Sequence, residues 1–282
     1  MSEASPTPVN DVVVVTGLRK VYPVTDEGRR REFVAVDDVS FSVPAGGSLA
    51  IVGESGSGKT TVAKMLVGLE RPSAGSIEIA GRDRSVPARR TRERRRRGRV
   101  VQIVFQDPYT SLDRRQSARS ALTEVLRLHF PGLARSEAEA RVAELAGLVG
   151  LDARQTDALP SALSGGQRQR VAIARALAAQ PQVLILDESV AALDVSIQAQ
   201  VLNLLADIRA ATGVTYVLIS HDLAVVRQVT DDAIVMRRGR VVEAGPTARV
   251  LDDPQDAYTR LLRDSVPRPG WNPHDVRRDD AR

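Results

Sequence analysis

Gly53-Glu54-Ser55-Gly56-Ser57-Gly58-Lys59-Thr60 fits the pattern G-x-x-x-x-G-K-[ST] without a gap, and its setting decides how it is read. The apolar run Leu49–Val52 in front of it is strand-like, and Thr60–Leu69 behind it places Val62, Met65, Leu66 and Leu69 on one helical face. A glycine-rich turn between strand and helix aims successive backbone N–H groups, together with the helix N-terminus, at a polyphosphate. On this reading Gly53, Glu54, Ser55, Gly56, Ser57, Gly58, Lys59, Thr60 and Thr61 bind a nucleotide. Lys59 reaches the β- and γ-phosphates and the Thr60 hydroxyl holds Mg²⁺. The competing reading is a Gly/Ser-rich surface turn that matches by chance, and the flanking strand and helix count against it.

Further strand-like runs lie at Val12–Val15, Val100–Phe105, Val183–Leu186 and Val214–Ile219, mostly without strict alternation, as suits strands buried on both faces. Helical stripes lie between them. One is Ala138, Val142, Leu145 and Val149, with Ser136 and Glu139 at capping-box spacing. Strands separated by helices predict an α/β protein with a mainly parallel sheet. From Asp107 to about Arg175 no strand signal occurs, so this stretch reads as a helical insertion. Val183-Leu184-Ile185-Leu186-Asp187-Glu188 ends a buried strand in two carboxylates, at the edge where ligands of open parallel sheets gather. Asp187 suits Mg²⁺, a hard cation that takes carboxylate oxygen, and Glu188 can polarise an attacking water as general base. Alone, such a strand end is commonly structural; downstream of a phosphate loop it points to nucleotide hydrolysis.

At 282 residues, 43% of them apolar, the chain is long enough for one large domain or a domain with an inserted subdomain, and too apolar to be disordered. No apolar run nears the ~18 residues of a membrane-spanning helix, and Met1–Asn10 holds no hydrophobic stretch, so the chain is expected not to cross a membrane by itself. The absence of cysteine excludes disulfides, thiolate metal sites and thiol nucleophiles, and fits a reducing compartment. The net charge of +5 is uneven, with eight arginines in Arg89–Arg99. Between two strand-like runs this segment is expected to be a solvated connection; contact with nucleic acid or anionic lipid is the alternative. Residues 1–9 and 265–282 read as flexible ends.

Leu163-Ser164-Gly165-Gly166-Gln167-Arg168-Gln169-Arg170, just ahead of the Asp-Glu strand, has no role in a generic phosphate-loop ATPase. It matches the signature motif of ABC ATPases, and with the phosphate loop and Asp187-Glu188 in order the chain resembles that family. The resemblance implies a parallel sheet core with an antiparallel β portion and an inserted helical subdomain (about 107–175) within an ATPase domain of 10–264. It also implies that Ser164, Gly165, Gly166 and Gln167 contact the γ-phosphate held by an opposite subunit, so that two ATP molecules are clamped in a dimer. Gln106 resembles the glutamine that senses Mg²⁺ and couples to the membrane subunit, His221 the histidine at the γ-phosphate, and Tyr22 the aromatic that stacks on adenine, an edge-strand tyrosine being the alternative for the last. Asp194 resembles the aspartate of the loop between subunits. Where the family usually reads Asp-Glu-Pro-x-Ser-Ala-Leu-Asp, this chain has Asp187-Glu188-Ser189-Val190-Ala191-Ala192-Leu193-Asp194, so a looser turn after Glu188 is expected.

Val104-Phe105-Gln106-Asp107-Pro108-Tyr109-Thr110-Ser111-Leu112-Asp113, Asp194–Leu202 and Ser220–Val226 resemble the ATPases of oligopeptide, dipeptide and nickel importers. The stretch 245–264 is similar to the C-terminal extension of that group, with Asp256-Ala257 where His-Pro is usual, a region not expected to do chemistry. The resemblance implies ATP and Mg²⁺ as cofactors, transmembrane permeases, a second and different ATPase subunit and an extracytoplasmic solute-binding protein as partners, and a place on the cytoplasmic face of the membrane. No nucleic-acid partner is expected. Two other readings remain open at this point: a soluble ABC ATPase that acts on nucleic acid or the ribosome through Arg89–Arg99, and a regulatory ATP-binding subunit with little turnover.

Overall fold

The computed structural model describes residues 10–26, 29–107, 111–189 and 194–265. The flexible ends expected at 1–9 and 265–282 fall outside them, apart from residue 265. Two long strands, β1 (Asp11–Asp26) and β2 (Arg29–Pro44), open the chain as an antiparallel ribbon. After β3 (Ser48–Val52) and α1 (Lys59–Val67), β4 (Ala74–Ile79) pairs with β1 and β5 (Arg82–Asp83) with β4, giving an antiparallel sheet of order β2-β1-β4-β5. The rest of the chain builds a second sheet from β6 (Val101–Val104), β7 (Val183–Asp187), β8 (Thr215–Ser220), β9 (Asp232–Arg237) and β10 (Arg240–Pro246) around β3. Its order is β10-β9-β3-β8-β7-β6, parallel throughout except for β10.

The central strands lack polar alternation because both of their faces are buried. In β3, Ala50 and Val52 enter one core with Leu184, Leu186 and Leu218, while Leu49 and Ile51 enter the other with Val183, Ile185, Val217 and Ile219. Helix α1 and the antiparallel sheet cover the second face. The first is covered by α6 (Gly165–Leu177), α7 (Val195–Thr212) and α8 (Leu223–Val229). Each fully buried Val, Ile or Leu in these layers contributes roughly 1.5–3 kcal/mol, so a charge at Ile51 or Ile185 would break the stack. Between β6 and β7 the described residues hold helices and no strand: α3 (Ala118–His129), α4 (Arg135–Leu148), α5 (Ala153–Asp157), a 3₁₀ turn at Pro160–Ala162, and α6. After β10, α9 (Thr247–Asp252) and α10 (Ala257–Asp264) fold back on the sheet.

Several local expectations are corrected. β1 runs far beyond Val12–Val15, and β2, β4, β9 and β10 carried no strand signal; the ribbon's register shifts break the period of two on which such a signal depends. Leu69 does not join the buried stripe of α1 but is 64% exposed, because Gly68 (φ 79°) ends the helix before it. The expected Ser136–Glu139 capping box is displaced: the N-cap of α4 is Ala134, whose N–H donates to Glu137 Oε2 at 2.8 Å, and Glu139 pairs instead with Arg135. The arginine run is a helix, α2 (Thr91–Val100), which takes Val100 out of β6. Its Arg97 pairs with Glu93 one turn earlier at 2.6 Å.

Candidate nucleotide site

Because β3, β8, β7 and β6 are parallel neighbours, their C-terminal ends share one edge. The 53–58 loop leaves β3 there, Asp187 ends β7 with Glu188 next, His221 follows β8, and Gln106 lies exposed two residues past β6. The loop holds its course only with glycine at two points. Gly53 has φ 149° and a Cβ there would lie 2.2 Å from the Met236 carbonyl oxygen; Gly58 has φ 104° and its Cβ would lie 2.5 Å from that of Ala35. The loop is thus wedged between β9 and β2. The N–H of Gly239 donating to the Ser57 carbonyl at 3.0 Å closes the third side.

Lys59 is buried, and its ammonium donates to the carbonyls of Gly53 (2.6 Å) and Glu54 (2.8 Å), bridging the loop across the space a phosphate chain would fill. Burial lowers its pKa, opposed by Glu188, Asp187 and Glu54. Asp187 is 6% exposed, and Thr60 Oγ1 donates to its Oδ1 at 3.4 Å. Its carboxyl is held above the usual range, first by burial and then by the adjacent Glu188. A buried carboxylate and a threonine hydroxyl facing each other make an oxygen donor set that fits a hard divalent cation, which would relieve the charge. Thr61, one position on, is half-buried at the start of α1.

Glu188 adopts φ 47°, a left-handed conformation costing a non-glycine residue roughly 1–3 kcal/mol. Its N–H donates to Ile219 of the neighbouring strand at 2.9 Å, and its Oε1 lies 3.4 Å from His221 Nδ1. That backbone bond ties the residue before the unusual Ser189 to β8, and Ser189 is itself buried; 190–193, the remainder of the expected loose turn, lie outside the described residues. The Glu188 carboxylate thus lies beside His221 at this edge.

The signature residues stand apart. Ser164 caps α6, its Oγ accepting from Gln167 N–H at 3.3 Å while Gln167 Oε1 accepts from Ser164 N–H at 2.9 Å. Arg168 holds the Leu163 carbonyl through Nε at 2.9 Å, and a Cβ on Gly166 would lie 2.5 Å from Ile197 Cγ2. Among the described residues no hydrogen bond joins Ser164, Gly165, Gly166 or Gln167 to the 53–61 loop, Asp187, Glu188 or His221. Tyr22 lies on β1 opposite Phe33, with the Lys20 ammonium 4.7 Å from its ring centroid; Lys20 also pairs with Glu70 at 2.8 Å. The same ribbon reaches the phosphate loop at Ala35 and Val36. Asp194 caps α7, accepting from Ile197 N–H at 3.2 Å.

One contact had no signal in the sequence. Tyr258 of α10 is buried, lies 4.8 Å from the Arg237 guanidinium, and accepts a hydrogen bond from Glu54 N–H at 3.0 Å. A tyrosine beside Leu261 and Leu262 reads as ordinary core, and nothing local says that it touches a loop 204 residues away.

A glycine-wedged phosphate loop, a buried lysine and a Thr–Asp pair at one parallel-sheet edge define a nucleotide-binding α/β protein of the P-loop class. Residues 36–191 match the ABC transporter family, and the chain belongs to it. A putative peptide import ATP-binding protein of Brucella abortus is 47% identical over 242 residues, covering 86% of this chain and 72% of that protein. The oligopeptide transport ATP-binding protein OppD of Mycobacterium tuberculosis is 43% identical over 275 residues, covering 95% of this chain but 44% of that one, so the chain spans less than half the length of this relative. Among solved structures, the ATP-binding cassette MJ0796 in a dimeric post-hydrolysis state bound to ADP and Pi superimposes with TM-score 0.74 at 27% identity, covering 83% of this chain and 98% of that one. The fold is that of an ABC ATPase cassette.

Proposed function

We propose that this chain is the ATP-hydrolysing subunit of an importer that takes up oligopeptides, dipeptides or a related small solute. The observation that carries the proposal is the convergence of Lys59, the Thr60–Asp187 pair and the Glu188–His221 pair on one sheet edge. The names of the peptide-transport relatives support the substrate class.

In this reading the Lys59 ammonium exchanges its two loop carbonyls for β- and γ-phosphate oxygens, while the backbone N–H groups at the start of α1 receive the phosphate chain. Thr60, Asp187 and Gln106 would hold Mg²⁺, which when bound neutralises phosphate charge. Glu188 takes a proton from the attacking water, and His221, 3.4 Å away, orients that carboxylate towards the γ-phosphate. Tyr22 stacks on adenine. Ser164, Gly165, Gly166 and Gln167, which among the described residues hydrogen-bond none of these groups, complete the site of a second ATPase subunit, and the separation of the two halves is the reason a dimer is required.

Permeases that bind near Gln106 would carry the closing motion across the membrane, with the chain held at the cytoplasmic face and a solute-binding protein on the other side. A second, different ATPase chain is the proposed partner. The test is ATP-dependent uptake of labelled oligopeptides by cells that carry or lack this chain, together with pull-down of permeases. Undiminished uptake without the chain would remove the peptide assignment, and recovery of no permease would remove the importer itself.

A further inference from the structure

Arg84, one residue past β5, is 8% exposed, and its Nε is buried without a hydrogen-bond partner. Among the described residues its guanidinium makes no hydrogen bond or ion pair. Burial and the neighbouring Arg97, Arg96 and Arg82 push its pKa down to about 10, with Glu93 the weakest influence and the only one in the opposite sense. A desolvated guanidinium ringed by others is held at a cost that a bound anion would offset.

The surroundings have room for one. Arg84 lines two clefts at once: one of about 540 Å³ with Arg82, Arg96 and Arg97, and one of about 360 Å³ with Arg71, Arg94 and Arg97. The carboxylates in the first are already engaged, Asp83 by the Ser85 N–H at 2.8 Å and Glu93 by Arg97 at 2.6 Å. Cations are therefore left in excess. The first cleft is also lined by Val100 and Gln182, which precede β6 and β7, so it lies at the N-terminal edge of the parallel sheet, opposite the nucleotide edge.

We propose that Arg84, with Arg82 and Arg96, forms a second anion site that binds a phosphate group, separate from the nucleotide site. The planar guanidinium fork matches phosphate oxygens in pairs. A nucleic-acid strand is disfavoured because neither cleft is lined by an aromatic side chain on which bases could stack. The phosphate group is that of a free soluble phosphate or of an anionic lipid head group.

The experiment uses the full chain with Lys59→Ala, which blanks the phosphate loop, and compares it with the same protein carrying Arg84→Met or, at an exposed position that cannot impair folding, Arg96→Gln. Thermal unfolding is followed with inorganic phosphate, and co-sedimentation with phosphatidylglycerol or phosphatidylcholine vesicles. A free-phosphate site raises the parent's Tm by about 2–3 °C at ten times Kd, and both substitutions weaken or abolish the rise. A head-group site leaves phosphate without effect but sediments the parent with phosphatidylglycerol and not phosphatidylcholine vesicles, again lost in the variants. Absence of both responses, or responses unchanged by Arg84→Met and Arg96→Gln, overturns the proposal.

Discussion

The hydroxyl of Tyr258 accepts a hydrogen bond from the backbone N–H of Glu54 at 3.0 Å, which ties α10, the last helix among the described residues, to the second residue of the phosphate loop. A net hydrogen bond is worth about 0.5–1.5 kcal/mol, and this one is spent on loop position rather than on contact with the nucleotide. Tyr258→Phe is expected to raise KM for ATP roughly 2–10-fold with little change in kcat. Steady-state kinetics checks this, and an unchanged KM would show that the loop needs no brace.

Asp187 is a buried carboxylate whose pKa is raised above 3.8 by burial and by Glu188. With the folded value above the unfolded one, the native protein binds the extra proton between the two. The charged form therefore penalises the nucleotide-free protein above this window, and the penalty fades as pH falls through the folded value. Asp187→Asn is expected to unfold at a higher temperature than the parent at neutral pH, the difference shrinking on acidification. The same variant should lose the extra stabilisation that Mg²⁺ with ATP confers. Scanning calorimetry across pH, with and without Mg-ATP, reads both.

Glu188→Gln keeps the shape of the side chain but removes its ability to take a proton. Hydrolysis should fall about 10²–10⁴-fold while ATP binding is retained. Phosphate release and equilibrium nucleotide binding measured on the same preparation separate the two effects. Release at the parental rate would strip Glu188 of the role of base.

Gly166 packs so closely on Ile197 that a Cβ would come within 2.5 Å of Cγ2. Gly166→Ala should therefore cost about 1–3 kcal/mol of stability. Adding Ile197→Ala should recover part of the loss, giving a favourable coupling in a double-mutant cycle measured by urea unfolding. Strict additivity would mean that the two residues do not touch.

Ser189 stands where the family usually has proline, and among the described residues its buried Oγ has no hydrogen-bond partner. Removing an unsatisfied hydroxyl relieves its desolvation cost, so Ser189→Ala should stabilise the protein by about 1 kcal/mol. Denaturant midpoints at constant slope are the check. A drop in stability would reveal a partner for this hydroxyl within 190–193.

The sequence carried the parts of the site that local chemistry writes out contiguously. The 53–60 loop, the Asp187-Glu188 strand end and the Ser164 helix cap were each legible because strand, turn and helix patterns flank them within a few residues. The meeting of the first two followed from one rule, that parallel strands bring their C-terminal ends to one edge, whereas the Ser164 cap stands apart from them. Less visible was the long β1–β2 ribbon, whose bulges scramble alternation, and the helical state of the arginine run, where like charge argues against a helix and the Glu93–Arg97 pair argues for one.

By itself, then, the sequence determined the α/β class, the phosphate loop and the acidic strand end, since periodicity and short-range backbone geometry are properties of neighbouring residues. Tertiary structure alone decided that Met236 and Ala35 leave no room beside Gly53 and Gly58, that Tyr258 braces Glu54, and that Arg84 is buried without a partner among the described residues. Those facts depend on which remote segments pack together, and burial and proximity across tens to hundreds of residues leave no periodic trace in the chain.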